Sequence, residues 1–231
     1  MRARRNENCM LRQEMRQPAY TWTRYARVLG SSALCLAGLS LTLSAQDVVV
    51  SANVRAGGID SLQRAQPGSR IHRSRAVALV SAPMAEVTAV VLDYQSYREF
   101  MPHFVASRVL SKRGHHALMY AEVSALGGMA TLWVEMQLRM LEATTPTRII
   151  RAKMMKGNLK AFEAEWQVTP FSTTHTFVAF ELCADPNFRL PLADGLISDY
   201  NEKEARSSIM GLRRELSRRA LGTAQLTSAT K

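Results

Sequence analysis

The chain has 231 residues, of which 47% are hydrophobic and 21% charged, a composition that supports a buried core and excludes a disordered polypeptide. Its formal net charge of +11 resembles that of nucleic-acid-binding proteins. However, the first 45 residues contain seven Arg and two Glu, so a net +5 of this charge lies there and +6 in the remainder. Because no aromatic residues are interleaved with the remaining basic residues, we predict no nucleic-acid partner.

The first 45 residues have the organisation of a secretory signal peptide. An Arg-containing segment precedes the apolar run 28–43, and the small residues Ser44 and Ala45 then provide a cleavage site. The apolar run is shorter than the ~20 residues that span a bilayer, which disfavours the alternative of an uncleaved anchor. We expect residues 1–45 to be a signal peptide, with Met10 or Met15 as alternative starts. The protein should then be exported to the periplasm or the extracellular space.

The positions of cysteine, histidine and paired acidic residues do not indicate a catalytic or metal site. Removal of the signal peptide would leave Cys183 as the single cysteine, so no disulfide framework is predicted. The five histidines are scattered and have no helical metal-ligand spacing. Glu163 and Glu165 alternate with apolar residues and are expected to face solvent together. We predict no metal, no cofactor and no catalytic residue.

The segment 46–74 has no clear periodicity. Gly57, Gly58, Pro67 and Gly68 interrupt it, and several arginines add charge without a pattern. We expect this segment to be a linker or loosely ordered arm. It should precede a folded domain over residues 75–221 and a tail over residues 222–231.

The folded domain begins with one strand and continues as a series of strands. A strand-like run over 76–81 leads into Pro83, which is tolerated in the first turn of a short helix, and a second short helix follows. From Phe104 onward, apolar and polar residues alternate with the period of a β-strand. Six strands are predicted, over residues 105–112, 117–125, 130–142, 148–156, 160–169 and 174–184. Separators such as Gly127-Gly128 and Gly157-Asn158 are typical of hairpins, so the strands should form an antiparallel meander.

One long amphipathic helix is predicted over residues 192–220. Its stripe at helical spacing consists of Ile197, Ala205, Ser208, Ile209, Leu212, Leu216 and Ala220. The charged residues Lys203, Glu204, Arg206, Arg213, Arg214 and Arg218 fall mostly on other faces. Because this is the one predicted element long enough to cover a sheet face, the fold class should be α+β, with a curved antiparallel sheet around the helix.

A motif early in the domain carries a family resemblance. After Ser81-Ala82-Pro83, the chain places Asp93, Tyr97, Phe100 and Pro102 in the pattern D-x3-Y-x2-F-x-P. Together with the strand order and the terminal helix, this pattern resembles the START-like helix-grip superfamily (SRPBCC). Within it, the pattern is most similar to the branch of coenzyme-Q-binding COQ10-type proteins and polyketide cyclase/dehydrase domains.

The resemblance covers residues 76–216 and implies a sheet that grips the C-terminal helix. It also implies a hydrophobic cavity between sheet and helix that holds a lipid-like or aromatic small molecule. Asp93 of the motif is expected to end or cap the short helix, and acid–base chemistry at the cavity mouth is the alternative.

Strand alternation selects the side chains that face this cavity. The candidate ligand-binding residues are Tyr97, Phe100, Val134, Met136, Leu138, Ile150, Ala152, Met154, Phe162, Ala164, Trp166, Val178, Phe180, Ile197 and Ile209. Each could instead be ordinary core packed against the helix. The small residues Ala152 and Ala164 and the adaptable methionines favour a cavity that a guest fills.

Two classes of function are consistent with these features. The first is an exported, monomeric protein that binds or carries a lipid, a quinone or another isoprenoid. The alternative is an enzyme of the polyketide cyclase/dehydrase or aromatase type, which requires polar side chains in the cavity, and the inward strand faces offer almost none. A basic hairpin either keeps the sheet edge soluble or makes transient contact with anionic lipid headgroups. Its residues are Arg148, Arg151, Lys153, Lys156 and Lys160.

Overall fold

The computed structural model describes residues 51–141, 146–187 and 194–229. The predicted signal peptide lies outside these residues, so its cleavage and the export of the protein stay predictions. All of the described residues belong to one compact unit that begins at residue 48. No helix in this part of the chain combines the length and the apolar character needed to cross a bilayer.

Within the described residues, eight antiparallel strands form one sheet, in the order β1-β2-β8-β7-β6-β5-β4-β3. The strands are β1 (Ile59–Arg64), β2 (Arg73–Val80), β3 (Phe104–Arg113), β4 (His116–Ala125), β5 (Ala130–Leu141), β6 (Arg148–Gly157), β7 (Leu159–Pro170) and β8 (Thr176–Pro186). Strands β3 to β8 pair in chain order, which confirms the predicted meander. Register shifts interrupt the β3–β4, β5–β6 and β7–β8 pairs, and such bulges bend and twist a sheet.

Four α-helices accompany the sheet in the described part of the chain. They are α1 (Ala52–Arg55), α2 (Met84–Val91), α3 (Tyr97–Phe100) and α4 (Asp194–Ala229). Helices α2 and α3 follow β2, as predicted, and α4 lies against β1, β2 and β8 as well as α2 and α3. The helix-grip fold is therefore confirmed. Helix α4 continues to Ala229, nine residues beyond the predicted end at residue 220.

The core lies between the concave face of the sheet and α4. Ala76 and Ala78 of β2, Val178 of β8, and Ile209 and Leu212 of α4 are all completely buried. The two alanines on β2 leave room for the helix to approach the strand closely. The apolar face of α4 is thus buried over the part of the sheet formed by β2 and β8.

The segment predicted as a linker over residues 46–74 instead contributes α1 and β1 from residue 51 onward. Strand β1 pairs with β2 from Ile59↔Ala78 to Arg64↔Arg73. Polar contacts hold it to α4, because Arg206 Nη1 donates to Ile59 O at 2.8 Å and Ser61 Oγ donates to Glu202 at 2.5 Å. Hydrophobic alternation did not predict this strand, because hydrogen bonds, and not an apolar face, attach it to the helix.

The outer face of β2, β6, β7 and β8 carries a network of ion pairs. Arg151 Nη2 lies 2.6 Å from Glu165 Oε2, and Arg73 Nη2 lies 2.5 Å from Glu163 Oε2. Gln167 Nε2 donates to Glu165 Oε1 at 2.7 Å, and Glu165 is only 7% exposed. The prediction that Glu163 and Glu165 face solvent together is corrected for Glu165, which is buried and pairs with Arg151 of the neighbouring strand β6.

Candidate functional site: a hydrophobic cavity with one buried carboxyl

A cavity of about 110 Å³ lies between the concave face of the sheet and α4. Its wall is almost entirely apolar, because inward-facing side chains of β4 to β8 supply most of it. The small side chains of Ala152 and Ala164 stand opposite each other in the β6–β7 register. Larger residues at these two positions would fill the space.

Ten of the fifteen predicted site residues line this cavity. They are Tyr97, Val134, Met136, Leu138, Ile150, Ala152, Phe162, Ala164, Trp166 and Phe180. Ligand binding at these residues stays a prediction. Their convergence follows from the period-two alternation of strands whose inner faces curve around a common space.

The other five predicted residues lie elsewhere. Val178 and Ile209 are completely buried in the core, where the sheet and α4 pack directly. Phe100 packs edge-on against Tyr97, with ring centroids 5.3 Å apart, and Met154 packs at the periphery of the core. Ile197 lines a second pocket. Alternation alone does not separate these residues from the cavity wall, because core and cavity residues share the same strand faces.

The second pocket, of about 280 Å³, adjoins the cavity at the start of α4. Leu132, Ala184, Tyr200 and Asn201 line both spaces. Leu196 and Ile197 of α4 complete its apolar wall. An elongated guest could therefore extend from the cavity past these four shared side chains toward the first turn of α4.

Helix α4 contributes four polar residues to the cavity wall, namely Tyr200, Asn201, Glu204 and Ser208. The predicted inward stripe contained Ser208 but not the other three. Helical spacing had placed Glu204 among the charges outside the apolar stripe. It faces inward because the cavity side of α4 is broader than that stripe. The spacing of residues 201, 204 and 208 by three and four positions was the signal available in the sequence.

Glu204 is the buried carboxyl of this wall, and the residue is 9% exposed. Its Oε1 atom has no hydrogen-bond partner among the described residues, and the imidazole atom His103 Nε2 is 3.5 Å away. Burial raises the pKa of Glu204, although His103, a hydrogen bond from Tyr200 and the charge of Lys203 each oppose the increase.

The neighbouring polar groups on α4 donate their hydrogen bonds to the backbone. Asn201 Nδ2 donates to Ala184 O at 3.0 Å, which ties the helix to the end of β8. Ser208 Oγ donates to Glu204 O at 2.8 Å, within the same helix. Neither of these donors satisfies Oε1 of the Glu204 carboxyl.

Asp93 of the recognised motif binds α4 and does not line the cavity. Its Oδ2 lies 2.6 Å from Arg219 Nη2, and its side chain makes no helix-capping hydrogen bond. Arg219 Nε also lies 2.6 Å from buried Glu215. The motif tyrosine, Tyr97, donates its hydroxyl to Val91 O at 2.7 Å. Asp93 follows the end of α2, as expected, but its carboxylate forms an ion pair with α4 and not a helix cap.

Acidic side chains on adjacent strands neutralise much of the positive charge of the predicted basic hairpin. Arg151 pairs with Glu165, Lys156 with Glu135 and Lys160 with Asp185. Three of its five cationic side chains thus have a carboxylate partner on an adjacent strand. Contact of this hairpin with a membrane stays a prediction.

The described residues contain no group of three or more His, Cys, Asp and Glu side chains close enough to hold a metal ion. Cys183 is buried, and this burial raises the pKa of its thiol. A buried thiol with a raised pKa is a poor nucleophile at neutral pH, because the thiolate is the reactive form.

A family model described as polyketide cyclase / dehydrase and lipid transport matches residues 80–212, which is more than half of the chain. The chain belongs to this family. The match spans α2, β3 to β8 and the part of α4 that carries Glu204, so the whole cavity wall lies within the family domain. A comparison with curated protein sequences finds no match.

Solved structures of the START superfamily resemble this family member in fold. A STAR-related lipid transfer protein from Xanthomonas axonopodis aligns with TM-score 0.62 and 19% identity, over 69% of this chain and 94% of that chain. Human STARD10 aligns with TM-score 0.61 and 10% identity, over 73% of each chain. The Zhui aromatase/cyclase from Streptomyces aligns with TM-score 0.50 and 13% identity, over 70% and 96%. At these identities the likeness shows a shared fold alone.

Proposed function

We propose that this protein is an exported carrier that binds a hydrophobic small molecule in the cavity between the sheet and α4. The observation that carries the proposal is the cavity itself, whose wall is apolar apart from a short polar stretch of α4. A lipid, a quinone or another isoprenoid has the matching chemistry. The family description includes lipid transport, and the Xanthomonas structure is titled a lipid transfer protein, both of which support a carrier role.

The dimensions of the two spaces suggest how such a ligand would sit. An apolar cavity of about 150 Å³ is known to hold a benzene molecule, so the cavity of about 110 Å³ would accept a ring or a short chain segment after a small adjustment. A longer tail would continue into the adjoining pocket of about 280 Å³. A ring-and-tail molecule would therefore use both spaces.

Native mass spectrometry on protein purified gently from its own exported fraction tests the proposal. We expect a hydrophobic molecule to co-purify, and lipid extraction would then identify its class. Ala164→Phe should abolish this co-purification, because the ring would project into the cavity from the centre of β7. Ala161→Phe is the matched control, since it adds the same ring at an exposed position of the same strand.

Both variants should retain the circular dichroism spectrum of the wild-type protein, which separates loss of binding from loss of the fold. Unchanged ligand content in folded Ala164→Phe would place the binding site elsewhere. A wild-type protein that is empty and takes up neither quinones nor fatty acids would contradict the carrier proposal.

The contact between Glu204 and His103 favours one second candidate, an enzyme that moves protons on a bound polyketide-like molecule. A buried carboxyl with a raised pKa, next to an imidazole 3.5 Å away, could remove a proton beside a ligand carbonyl. Hydrogen–deuterium exchange at the methyl group of acetophenone tests this activity. Exchange faster than in buffer and lost in Glu204→Gln would support the enzyme, and equal rates would exclude this proton transfer.

A further inference from the structure

We propose that Glu204 accepts a hydrogen bond from a hydroxyl group of the ligand, so that the cavity selects apolar molecules that carry an alcohol or phenol group. This inference rests on the proposed binding function and names the class of ligand that the site prefers. It distinguishes hydroxylated molecules from hydrocarbons, ethers and fully oxidised quinones of the same shape.

The unpaired carboxyl oxygen is the first observation that supports this selection. Glu204 Oε1 is inaccessible to solvent and lacks a hydrogen-bond partner among the described residues. A buried acceptor without a donor destabilises the fold, because it has lost its hydrogen bonds to water. Such a group is explained when a bound molecule supplies the donor.

The side chains around Glu204 do not supply that donor. His103 Nε2 lies 3.5 Å from Oε1, beyond the usual N–H···O range, and its side chain is 52% exposed at the rim of the site. Asn201 and Ser208 donate to Ala184 O and Glu204 O respectively. Tyr200 forms a hydrogen bond with the Glu204 side chain, but Oε1 is not satisfied. Because Glu204 lines the cavity, a ligand held there can supply the missing donor.

The electrostatics of the site favour a neutral donor. An anionic ligand group would lie against the acidic carboxyl in a medium of low dielectric constant, and an ammonium group would lose its hydration on entering the apolar wall. A hydroxyl group avoids both costs, and it can donate to the carboxyl whether or not Glu204 is ionised. Because the remaining wall is largely apolar, the rest of the ligand should be hydrocarbon.

A pair of probes that differ only in the donor tests the inference. The purified protein is titrated by calorimetry with 4-hexylphenol and with 4-hexylanisole, in which a methyl ether replaces the hydroxyl. We expect the phenol to bind about tenfold more tightly, the difference that one hydrogen bond to a charged or polar acceptor provides.

Three variants test whether Glu204 causes the preference for the phenol over the methyl ether. Glu204→Leu should bind the two probes equally, because it removes the acceptor and keeps a similar volume. Glu204→Gln retains a carbonyl oxygen and should keep part of the preference. Glu202→Leu is the matched control on the same helix and should keep all of it, since Glu202 accepts hydrogen bonds from Ser61 and Gln63 of β1 and does not line the cavity.

The possible results of these titrations distinguish the hydroxyl preference from the carrier proposal. Equal binding of both probes by the wild-type protein would overturn the hydroxyl preference and leave the carrier proposal intact. A preference that survives in folded Glu204→Leu would also overturn the inference, because the hydroxyl would then bind elsewhere. Failure of both probes to bind would overturn the carrier proposal and this inference together.

Discussion

Gly211 marks the closest approach between α4 and the short helix α3. A Cβ atom at this position would lie 2.2 Å from Phe100 O, a backbone atom that cannot rotate away. Gly211→Ala should therefore push the two helices apart and lower the free energy of unfolding by about 1–3 kcal/mol. Chemical denaturation measures this loss directly.

Gly222 provides the matched control for Gly211, because it lies on the same helix and a Cβ there would meet nothing within 4 Å. Gly222→Ala should be neutral or stabilising by up to about 1 kcal/mol, as expected for a solvent-facing helical glycine. Equal effects of the two substitutions would contradict the close packing of α4 against α3.

The raised pKa of Glu204 makes stability depend on pH. Desolvation by burial is the main cause of the increase, and the charge of His103 acts against it. Because the folded protein then holds this proton more tightly than the unfolded chain, the contribution of Glu204 to stability is greatest below its unfolded pKa. It falls as the pH rises through the folded pKa.

Glu204→Gln removes this titration and tests whether the pKa of Glu204 is raised in the folded protein. At pH 4 or below, the wild type and the variant should differ little in their free energy of unfolding. As the pH rises above 4.5, the reference pKa of a Glu side chain, the free energy of unfolding of the variant should increase relative to that of the wild type. Urea titrations between pH 4 and 8 would measure the difference, and parallel profiles would show that the Glu204 pKa is not raised.

At the scale of elements, one guanidinium group of α4 anchors the turn that leads into β1. Arg213 Nη1 donates to Gly57 O at 2.9 Å, and Nη2 donates to Leu79 O at 2.8 Å, so it joins α4 to both this turn and the end of β2. Desolvation by burial lowers the pKa of Arg213, but the planar group remains charged and supplies several donors at once.

Arg213→Met should therefore release β1 before the rest of the sheet. We expect a loss of about 1–3 kcal/mol in the free energy of unfolding, because the carbonyls of Gly57 and Leu79 would lose hydrogen bonds from a charged donor. Hydrogen exchange followed by mass spectrometry should show faster exchange over residues 59–64, with β5 and β6 unchanged. Arg214→Met is the control at an exposed neighbouring position, and identical exchange in the two variants would contradict the anchoring role.

At the scale of the whole molecule, the folded unit that holds the cavity begins at residue 48. The predicted cleavage after Ala45 would leave this unit complete. Expression in the native host should therefore yield, in the exported fraction, a protein whose intact mass corresponds to residues 46–231. A protein that keeps residues 1–45 and stays with the membrane would instead support the uncleaved anchor.

The meander and the terminal helix were predictable because each follows from a local period. Alternation of apolar residues with period two defines the strands, as in Val134, Met136 and Leu138 of β5, and the stripe through Ile209 and Leu212 defines the helix. Ten cavity residues followed from the same alternation. The family motif also predicted that the sheet wraps around the helix, which the observed topology confirms.

The sequence by itself determined the order of the elements, their amphipathic faces and most of the cavity wall, because these depend on residues that are neighbours along the chain. Tertiary structure alone decided the roles of β1, Asp93 and Glu204. Strand β1 is attached through Glu202 and Arg206 of α4, and Asp93 pairs with Arg219 of the same helix. Glu204 becomes a buried acceptor only when the curved sheet closes over the helix, since burial is set by contacts between residues far apart in sequence.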